Sequence, residues 1–499
     1  MVAKLNCLIT YWRGGQAVEP NSVSLLAGQL RGVEGAIGLC EESSQVCRGD
    51  VFVACADDPV KRAKHIGQAL ENGAIALALD SASPSVDAPQ VPTFYLSDLA
   101  SHRGALAADF YRLPSQDMQC IGITGTNGKT SIAYHLANLS SLLGVDCAYC
   151  GTLGHGRLGR LSPTTMTTPP PVTLQRLLAS FKEGGAQRAA LEISSHALDQ
   201  DRAKDVQLDV GVFSNLSRDH LDYHQNMDSY AAAKAKLFTG WPLKLAVINA
   251  DDEVGRKFLT CARADEVISF GLGGDIAWRA TAVRRGMHVL FDTPWGRLEC
   301  ALPVAAEFAL ANVAATVGVL LGLGHSIDDL RQALPKLDSI PGRMQVVDGD
   351  FGTPKAVVDF AHTPDALKKV LSALAPQCRG RLICVVGCGG ERDQGKRAEM
   401  GAVAVAGADR VWFTSDNPRG EKPWQIIDDM QRDLSTEQMH SVTALVDRAE
   451  AISQAVAEAV ADDIVLVAGK GHEETQEING IKYAFSDVGF LEKLFRENV

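Results

Sequence analysis

The clearest structural signal in the sequence is the segment Cys120-Ile-Gly-Ile-Thr-Gly-Thr-Asn-Gly-Lys-Thr130. Its apolar start predicts a buried β-strand, and the apolar residues between Ile132 and Leu143 have helical spacing. A strand, a glycine-rich turn and a Lys-Thr pair at the start of a helix form the layout of a phosphate-binding loop. In such a loop the backbone N–H groups bind phosphate, the lysine reaches the outer phosphates, and the threonine hydroxyl can bind Mg²⁺. The alternative is an ordinary strand-to-helix turn with a chance lysine.

The overall composition is that of a soluble protein with about three domains. The chain has 499 residues, of which 46% are hydrophobic and 22% charged, and its formal net charge is −12. This charge argues against extended binding to a nucleic acid backbone. No apolar run is long enough to cross a bilayer, and no secretory signal is evident. We therefore expect a cytoplasmic protein without a nucleic acid or membrane partner, and we expect a monomer.

The 12 cysteines are scattered along the chain. Cys147-Ala-Tyr-Cys150 is a single C-x-x-C motif without a second pair or a flanking histidine pattern. We interpret these cysteines as buried thiols in a reducing compartment rather than as a zinc or redox site.

The sequence predicts an α/β protein, and its first domain covers residues 1–112. Strands are expected at Asp50–Cys55 and Ala74–Leu79, with a helix at His65–Asn72 between them. The proline-rich segment 83–92 is expected to be a loop. Residues 113–117 form the predicted linker, because Pro114 disfavours a helical conformation at the residue before it.

The second domain is predicted to cover residues 113–341. Strands expected at 188–194, 208–213 and 245–249 alternate with helical segments, which indicates a mostly parallel sheet covered on both faces. Short alternating runs from Trp278 to Leu302, with a Pro-Trp-Gly turn at 294–296, predict an antiparallel hairpin insert.

The third domain is predicted to cover residues 342–499, after Pro341-Gly342. Strands at 356–360, 382–387, 410–414 and 464–468 alternate with helices, as in a doubly wound, Rossmann-like sheet. Gly387-Cys-Gly-Gly-Glu-Arg392 superficially resembles a dinucleotide fingerprint. Arg392 stands where such a fingerprint needs a small residue, so a nicotinamide site is disfavoured.

Polar residues after the loop supply the candidates for ATP chemistry. Glu192 ends a strand that is predicted to lie beside the loop, where a carboxylate can hold Mg²⁺; the alternative is an exposed carboxylate at a strand end. The segment Asn215–His224 is too polar and too rich in histidine for a routine connector. His220 is its candidate metal ligand, and His224 is interpreted as structural. By spacing alone, Lys234 belongs to a solvated helix face.

Ten motifs in order along the chain resemble those of the Mur ligases, which add amino acids to the growing peptide of peptidoglycan. The resemblance is greatest to the branch that adds the third residue. The family's loop is the shorter G-x-x-G-K-T, which accounts for Ile123 where other phosphate loops have glycine. The matching motifs are Gly125-Thr-Asn-Gly-Lys-Thr130, Thr167-Thr-Pro169, Glu192-Ile-Ser-Ser-His196, Asn215-Leu-Ser-Arg-Asp-His-Leu-Asp-Tyr-His224, Ala233-Lys-Ala-Lys-Leu-Phe238, Pro341-Gly-Arg-Met344, Asp359-Phe-Ala-His-Thr-Pro364, Gly387-Cys-Gly-Gly-Glu-Arg-Asp393, Asp416-Asn-Pro-Arg419 and Ala468-Gly-Lys-Gly-His-Glu473.

The resemblance implies an ATP-dependent ligase. ATP would phosphorylate the D-glutamyl carboxylate of UDP-N-acetylmuramoyl-L-alanyl-D-glutamate to an acyl phosphate, which the amine of meso-diaminopimelate would then attack. Cations must screen the two anions that meet, and Lys129, Mg²⁺ and Arg343 would do so. By the family pattern Lys234 is carbamylated, which gives it a carboxylate-like charge beside the metal. The implied catalytic residues are Lys129, Glu192, His220 and Lys234, and the implied metal ligands are Thr130, Glu192, His220 and Lys234.

The resemblance also implies three sets of binding residues. The ATP set is Gly125, Thr126, Asn127, Gly128, Lys129, Thr130, Asn312, Arg343 and Asp359. The set for the UDP-sugar dipeptide is Ser43, Thr167, Thr168, Ser194, Gln200 and Arg202. The set for meso-diaminopimelate is Arg392, Asp416, Asn417, Arg419, Gly469 and Glu473. Four segments depart from the family pattern: Phe308-Ala-Leu-Ala-Asn312 replaces Phe-Asn-x-x-Asn, Asp359-Phe360 replaces the more usual Asp-Tyr, Glu42-Ser-Ser44 replaces Asp-Ser-Arg, and Ala56-Asp-Asp-Pro59 stands where the family has a glycine-rich segment.

The expected amino acid follows from Asp416-Asn-Pro-Arg419, which matches the signature of the family members that use meso-diaminopimelate. Arg419 can bind the second carboxylate bidentately, with support from Arg392, whereas Glu473 would bind the distal ammonium. Lysine lacks that carboxylate and would leave a buried arginine unpaired. Without the resemblance, the segment is only a turn after a strand.

Two other functions are compatible with parts of the pattern. Folylpolyglutamate synthetases share the loop and the modified lysine, but lack the N-terminal UDP-binding domain and the Asp-Asn-Pro-Arg turn. A non-catalytic sensor of muropeptides that keeps the fold is disfavoured by the intact Lys129, Glu192 and Lys234.

Overall fold

A computed structural model describes residues 9–13, 16–18, 23–82, 91–283, 286–303, 307–347 and 353–497. Three large sheets with flanking helices follow one another along the chain, which confirms the predicted α/β fold. Most of the loop predicted at 83–92 lies outside the described residues. Within these ranges, no helix combines the length and the apolar character needed to cross a membrane. Short 3₁₀ helices lie at Ser43–Gln45, Pro114–Gln116, Leu334–Lys336 and Ala375–Gln377.

The N-terminal sheet has the strand order β2-β1-β6-β5-β4-β3. Strands β3 to β6 are parallel, and β1 and β2 extend the sheet in antiparallel fashion. The predicted strands correspond to β4 and β5, and the predicted helix to α2, whose first turn is capped by Asp58. The elements are β1 (Ile9–Arg13), β2 (Gln16–Val18), α1 (Val23–Arg31), β3 (Gly38–Cys40), β4 (Asp50–Ala54), α2 (Pro59–Glu71), β5 (Ala76–Asp80), β6 (Thr93–Leu96) and α3 (Leu99–Phe110).

The central sheet has the strand order β10-β9-β8-β11-β7-β12-β13-β14. Its strands from β8 to β14 in this order are parallel, and the edge strands β9 and β10 are antiparallel. The elements are β7 (Gln119–Thr124), α4 (Lys129–Leu142), β8 (Cys147–Gly151), β9 (Gly154–Arg157), β10 (Arg160–Ser162), α5 (Pro171–Glu183), β11 (Arg188–Glu192), α6 (Ser195–Asp199), β12 (Val210–Phe213), α7 (Leu221–His224), α8 (Met227–Thr239), β13 (Leu243–Asn249), α9 (Glu253–Cys261) and β14 (Ala264–Phe270).

The order of the central strands positions the phosphate loop. Strand β7 lies between β11 and β12, and all three run parallel. Because parallel strands end at the same edge of a sheet, the segments that follow Thr124, Glu192 and Phe213 meet there. Ligands of open α/β sheets bind at this carboxyl edge.

The C-x-x-C cysteines lie on β8 and point to opposite faces of the sheet. Cys147 packs in one apolar cluster and Cys150 in another, as their odd spacing on a strand requires. Both thiols are free, and burial raises the pKa of each to about 12. The prediction of buried thiols is correct, and this pair cannot bind one metal ion.

The predicted insert is a separate antiparallel sheet of three strands rather than a two-stranded hairpin. Its second turn lies at the predicted Pro-Trp-Gly position, because Thr293 pairs with Gly296. Its apolar residues, including Phe291 and Leu298, pack with the helix that follows. The elements are β15 (Ala277–Val283), β16 (Gly286–Thr293), β17 (Gly296–Leu302), α10 (Glu307–Gly322) and α11 (Ile327–Ala333).

The C-terminal sheet has the strand order β18-β19-β23-β20-β21-β22, in which only β18 is antiparallel. Apolar clusters cover both faces, as predicted for a doubly wound sheet. A small hairpin, β24–β25, stands apart. The elements are β18 (Gln345–Val347), β19 (Lys355–Asp359), α12 (Pro364–Leu374), β20 (Leu382–Val386), α13 (Gly395–Gly407), β21 (Arg410–Phe413), α14 (Pro423–Gln431), α15 (Thr436–Met439), β22 (Val442–Ala444), α16 (Arg448–Glu458), β23 (Ile464–Ala468), β24 (Thr475–Ile478), β25 (Ile481–Ala484) and α17 (Asp487–Glu497).

Candidate active site

The phosphate loop joins β7 to α4, and its shape requires glycine at two positions. Gly125 has a φ of 147° and Gly128 a φ of 88°, a region that side chains disfavour. A Cβ atom at Gly125 would lie 1.9 Å from Ser214 Oγ, and one at Gly128 would lie 2.4 Å from Asn312 Oδ1. The loop therefore packs directly against the segment after β12 and against α10.

Backbone hydrogen bonds hold the loop to the segment after β12. The Thr126 N–H donates to the Asn215 carbonyl at 2.8 Å, and the Asn127 N–H donates to Asn215 Oδ1 at 3.0 Å. Lys129 Nζ turns back over the loop and donates to the carbonyls of Gly125 and Thr126 at 2.8 and 2.9 Å. Burial lowers the pKa of Lys129, whereas Glu192 acts in the opposite direction.

Glu192 ends β11 beside the first turn of α4 and is only 1% exposed. Its Oε2 accepts a hydrogen bond from Thr130 Oγ1 at 3.0 Å. Its other donors are the Tyr149 hydroxyl at 2.5 Å and the backbone N–H and hydroxyl of Thr152 at 2.9 and 3.1 Å. Neither Tyr149 nor Thr152 was predicted from the sequence; β8 lies parallel beside β11, Tyr149 is paired with Ala190, and Thr152 follows the end of β8.

The donors at this point fit Mg²⁺. Thr130 and Glu192 offer a hydroxyl and a carboxylate, the oxygen ligands that Mg²⁺ prefers. The described part of the chain contains no group of three or more His, Cys, Asp or Glu side chains arranged to hold a metal ion. Mg²⁺ at nucleotide sites uses one or two protein ligands together with phosphate oxygens and water, and Thr130 and Glu192 match that number.

His220 lies at the start of α7 with a left-handed φ of 54°. Its Nε2 is 3.5 Å from Asp219 Oδ2, and its ring is 4.9 Å from the ring of His196. Burial lowers the pKa of His220 to about 4, although Asp219 raises it. The neutral imidazole suits a metal ligand. His224 is buried and hydrogen bonds to Ser195 Oγ at 2.9 Å, which agrees with its predicted structural role.

Lys234 lies on α8 and is buried, in contrast to the solvated face that spacing alone indicated. Its Nζ donates to the Gly125 carbonyl at 2.8 Å and lies 4.5 Å above the Tyr230 ring. Burial lowers the pKa of Lys234 well below its usual value, and Lys129 lowers it further. The lysine side chain thus reaches the inner side of the phosphate loop.

A cavity of about 320 Å³ joins this region to the C-terminal sheet. Its central-domain side includes Lys129, Thr130, Glu192 and His220. Its opposite side contains the residues predicted to bind the amino acid, namely Arg392, Asp416, Asn417, Arg419, Gly469 and Glu473. Segments that are almost three hundred positions apart in sequence therefore line one space. The cavity also contains Asp219, His362 and Lys396, which the sequence reasoning did not select.

Hydrogen bonds order the acidic part of this cavity. Asn417 Nδ2 and Lys470 Nζ each donate to Glu473 Oε2 at 2.8 Å. Lys470 is fully buried and was missed in the sequence. Burial raises the pKa of Asp416, while Lys470 lowers it. Gly469 has a φ of 112°, and a Cβ there would lie 2.7 Å from Asp416 Oδ2, so the chain passes close to that carboxylate.

A second cavity, of about 500 Å³, lies on the other side of the loop. The predicted ATP residues that line it are Asn127, Gly128, Asn312, Arg343 and Asp359. Arg343 also lines the first cavity, donates to Thr130 Oγ1 at 3.3 Å and stacks on the Phe360 ring at 4.5 Å. Asp359 is buried and accepts the Met344 N–H at 2.7 Å.

Three of the six residues predicted for the UDP-sugar dipeptide line a cavity, and these three are divided between two cavities. Gln200 and Arg202 line a third cavity, of about 420 Å³, together with Arg62 and His65 of α2 and Arg103 of α3. Thr167 lines the first cavity. Thr168 Oγ1 donates to the Glu192 carbonyl at 2.7 Å and accepts the Ser194 N–H at 3.0 Å. Ser43 does not line the third cavity, and its buried hydroxyl donates to Gln68.

Comparisons with known proteins identify the family to which the chain belongs. Residues 123–320 match the Mur ligase middle domain, and residues 342–471 match the domain described as Mur ligase, glutamate ligase domain. The UDP-N-acetylmuramoyl-L-alanyl-D-glutamate–2,6-diaminopimelate ligase of Pseudomonas aeruginosa is 44% identical over 91% of this chain and 93% of that protein. The chain belongs to the Mur ligase family. The ligase of the same name from Coxiella burnetii is 42% identical over 90% of this chain and 93% of that protein.

Solved structures of Mur ligases share the fold. A structure of a ligase of the same name has a TM-score of 0.63 at 35% identity and covers 93% of this chain and 95% of its own. The MurF ligase of Thermotoga maritima in complex with ADP has a TM-score of 0.68 at 20% identity, covering 93% and 98% of the two chains. The family and the three-domain architecture predicted from the sequence are confirmed.

Proposed function

We propose that this Mur ligase joins meso-diaminopimelate to UDP-N-acetylmuramoyl-L-alanyl-D-glutamate at the expense of ATP. The observation that carries the proposal is the cavity lined on one side by the phosphate loop and on the other by the Asp416–Arg419 turn. An enzyme that activates a carboxylate with ATP and then joins an amine to it needs both sites to open into one space. The names of the relatives with more than 40% identity support the same reaction.

The chemistry follows from the charges around the loop. A carboxylate is a poor electrophile, and transfer of the γ-phosphoryl group gives it a phosphate leaving group. The oxygen of the D-glutamyl carboxylate attacks phosphorus, ADP leaves, and the amine then attacks the acyl carbon and expels phosphate. Lys129 and Arg343 both line the first cavity and would offset the negative charges that meet there.

Thr130 and Glu192 are proposed to hold one Mg²⁺, with His220 and Lys234 serving a second. When bound, the ion would supply positive charge at the phosphates. Carbamylation of Lys234 would give an acidic group in a pocket where a second cation beside Lys129 is unfavourable. The reaction consumes CO₂ and a neutral amine, forms an N–C bond and releases one proton.

The amino-acid specificity is proposed to reside in the C-terminal part of the first cavity. Arg392 and Arg419 would bind the distal carboxylate of meso-diaminopimelate, and Asn417 would assist them. Asp416, Gly469 and Glu473 would surround the distal ammonium. L-Lysine, which lacks that carboxylate, would leave both guanidinium groups without the anion of the substrate, and Arg419 would keep only its ion pair with Glu477, at 3.7 Å.

The remaining assignments are proposals of the same kind. Asn312 would contact the adenine and Asp359 the ribose. Thr167, Thr168, Ser194, Gln200 and Arg202 would bind the sugar peptide, with Ser43 near the uridine. The domain boundaries would fall near residues 112 and 341. We expect a cytoplasmic monomer, which size-exclusion chromatography with light scattering would test.

Phosphate release tests the proposal directly. The full chain would be assayed with ATP, Mg²⁺, the UDP-sugar dipeptide and either meso-diaminopimelate or L-lysine. We expect phosphate release with meso-diaminopimelate and none with L-lysine. No release with either amino acid would refute the ligase assignment and favour a muropeptide sensor, whereas a preference for lysine would refute only the specificity. Activity with a folate substrate and glutamate would favour a folylpolyglutamate synthetase; solved examples match this fold at about one-fifth identity.

A further inference from the structure

We infer that the ion pair between Arg397 and Glu421 positions the two loops that carry Arg392 and Arg419. The inference rests on the proposed function, because it concerns the binding of the amino acid at those two residues. Neither Arg397 nor Glu421 lines the cavity. Both would therefore act through the residues that do.

Arg397 lies in the first turn of α13, and its side chain is only 1% exposed. Its Nη1 and Nη2 donate to Glu421 Oε2 and Oε1 at 2.9 and 2.8 Å, which is a bidentate pair. Nη1 also donates to Asp429 Oδ2 on α14 at 2.9 Å. Bidentate guanidinium–carboxylate pairs fix both partners in direction as well as in distance. Arg397 on α13 is thus held by Asp429 on α14, and it fixes the position of Glu421.

Glu421 connects the two loops through one carboxylate. It follows the Asp416–Arg419 turn by two residues, and its Oε1 also accepts the backbone N–H of Glu391. Glu391 has a left-handed φ of 55° and directly precedes Arg392. The backbone conformation that aims Arg392 therefore depends on the same carboxylate that Arg397 holds.

The two loops touch closely beside this carboxylate. The Gly390 N–H donates to the Asn417 carbonyl at 2.9 Å, and Arg419 Nη1 donates to the Gly390 carbonyl at 2.6 Å. A Cβ at Gly390 would lie 2.0 Å from the Pro418 carbonyl oxygen, so no side chain fits between the loops. A shift of Glu421 would accordingly change the spacing between the two guanidinium groups. A carboxylate bound by two arginines depends on that spacing.

Substitution of either partner tests the inference in the full chain. Arg397→Met and Glu421→Gln would each be assayed for phosphate release with each substrate varied in turn. We expect the KM for meso-diaminopimelate to rise at least about tenfold, because displacements of about 1 Å at a positioned group have effects of this size. The KM values for ATP and the UDP-sugar dipeptide should stay within about twofold, and the double variant should resemble the worse single variant.

A matched control separates positioning from stability. Arg381 pairs with Asp463 at the opposite end of β20 and β23, with Nη2 and Oδ2 2.9 Å apart. Arg381→Met should lower the melting temperature of the protein without changing any KM, and Arg397→Lys should restore only part of the meso-diaminopimelate affinity, because lysine cannot form the bidentate pair.

The possible outcomes are distinct. An unchanged KM for meso-diaminopimelate in folded Arg397→Met, or equal changes in all three KM values, would overturn the inference. If Arg397→Met does not fold, Glu421→Gln decides by the same criterion. A wild-type chain that is inactive with meso-diaminopimelate would instead refute the proposed function.

Discussion

The state of Lys234 gives the most demanding test of the active-site chemistry. Lys129 Nζ and Lys234 Nζ both donate to the Gly125 carbonyl oxygen, and each is 2.8 Å from it. The two nitrogens are therefore separated by no more than twice 2.8 Å. Two positive charges so close repel each other by about 3 kcal/mol at an effective dielectric constant of about 20. This repulsion adds to the burial that already lowers the pKa of Lys234.

A neutral amine in this position can react with CO₂, whereas an ammonium cannot. Carbamylation would reverse the sign of the interaction with Lys129, so the same short distance would become favourable. We therefore expect the enzyme to lose activity when CO₂ and bicarbonate are removed, and to regain it when bicarbonate is returned. Labelled bicarbonate should give a carbamate signal in NMR spectra of the wild-type protein and none in Lys234→Arg.

Substitution provides the kinetic test. Lys234→Ala should lower kcat by roughly a hundredfold or more, as removal of a group that stabilises charge in the transition state does, and a short carboxylate with bicarbonate should restore part of it. Lys236→Ala is the control on the same helix, because the Lys236 side chain is half-exposed and pairs with Asp199 at 3.1 Å; the kcat of this variant should change less than about threefold. Full activity of Lys234→Arg, or of wild-type enzyme without bicarbonate, would refute the reasoning.

Three further predictions concern the loop, the specificity and the pH dependence. Gly128→Ala should raise the KM for ATP at least about tenfold because its Cβ displaces Asn312, whereas Gly144→Ala, with a similar φ of 78° and open space around it, should leave that KM unchanged. Equal effects of the two would argue against the steric reason. Arg419→Ala should raise the KM for meso-diaminopimelate far more than that for ATP; equal changes would indicate a structural role. Burial lowers the pKa of His135 to about 4. The unfolded chain therefore binds a proton at His135 before the folded protein does, and the free energy of unfolding should fall by about 3 kcal/mol as the pH falls from about 6.5 to 4. Urea unfolding should show that His135→Gln loses less free energy of unfolding over this pH range than the wild-type protein. An equal loss in both proteins would show that His135 is not its source.

The sequence predicts those parts of the fold that have long apolar runs. The central strands β7, β11, β12 and β13 and most C-terminal strands were found in this way. The short strands β3, β9 and β10 escaped, because their segments Gly38–Cys40, Gly154–Arg157 and Arg160–Ser162 contain too few apolar residues to show a run or a period. Cys147-Ala-Tyr-Cys150 was interpreted as a pair of buried thiols but not as a strand, so the hydrogen bond from the Tyr149 hydroxyl to Glu192 was not predicted.

The site was predicted mainly through the resemblance to a family, because its residues come from distant segments. Nothing in the local sequence around Lys470 indicates a fully buried ammonium group that donates a hydrogen bond to Glu473. The spacing of Lys234 predicts a solvent-exposed side chain, whereas the structure buries it. Ser43 was selected from a segment that departs from the family pattern, and it does not line the third cavity. The assignment of Ser43 from the family, which rests on the weakest motif match, is thus the one that agrees least with the structure.

Arg343 links the position of the C-terminal sheet to the phosphate loop. It lines both the nucleotide cavity and the reaction cavity, and it reaches Thr130 at 3.3 Å. The residue before it, Gly342, has a φ of 63°, and a Cβ there would lie 2.0 Å from the His472 backbone nitrogen. The turn after β23, which carries Glu473, therefore packs directly on the segment that delivers Arg343. These backbone contacts fix the spacing between the turn that carries Glu473 and the segment that carries Arg343, and Arg343 in turn joins this part of the chain to the phosphate loop.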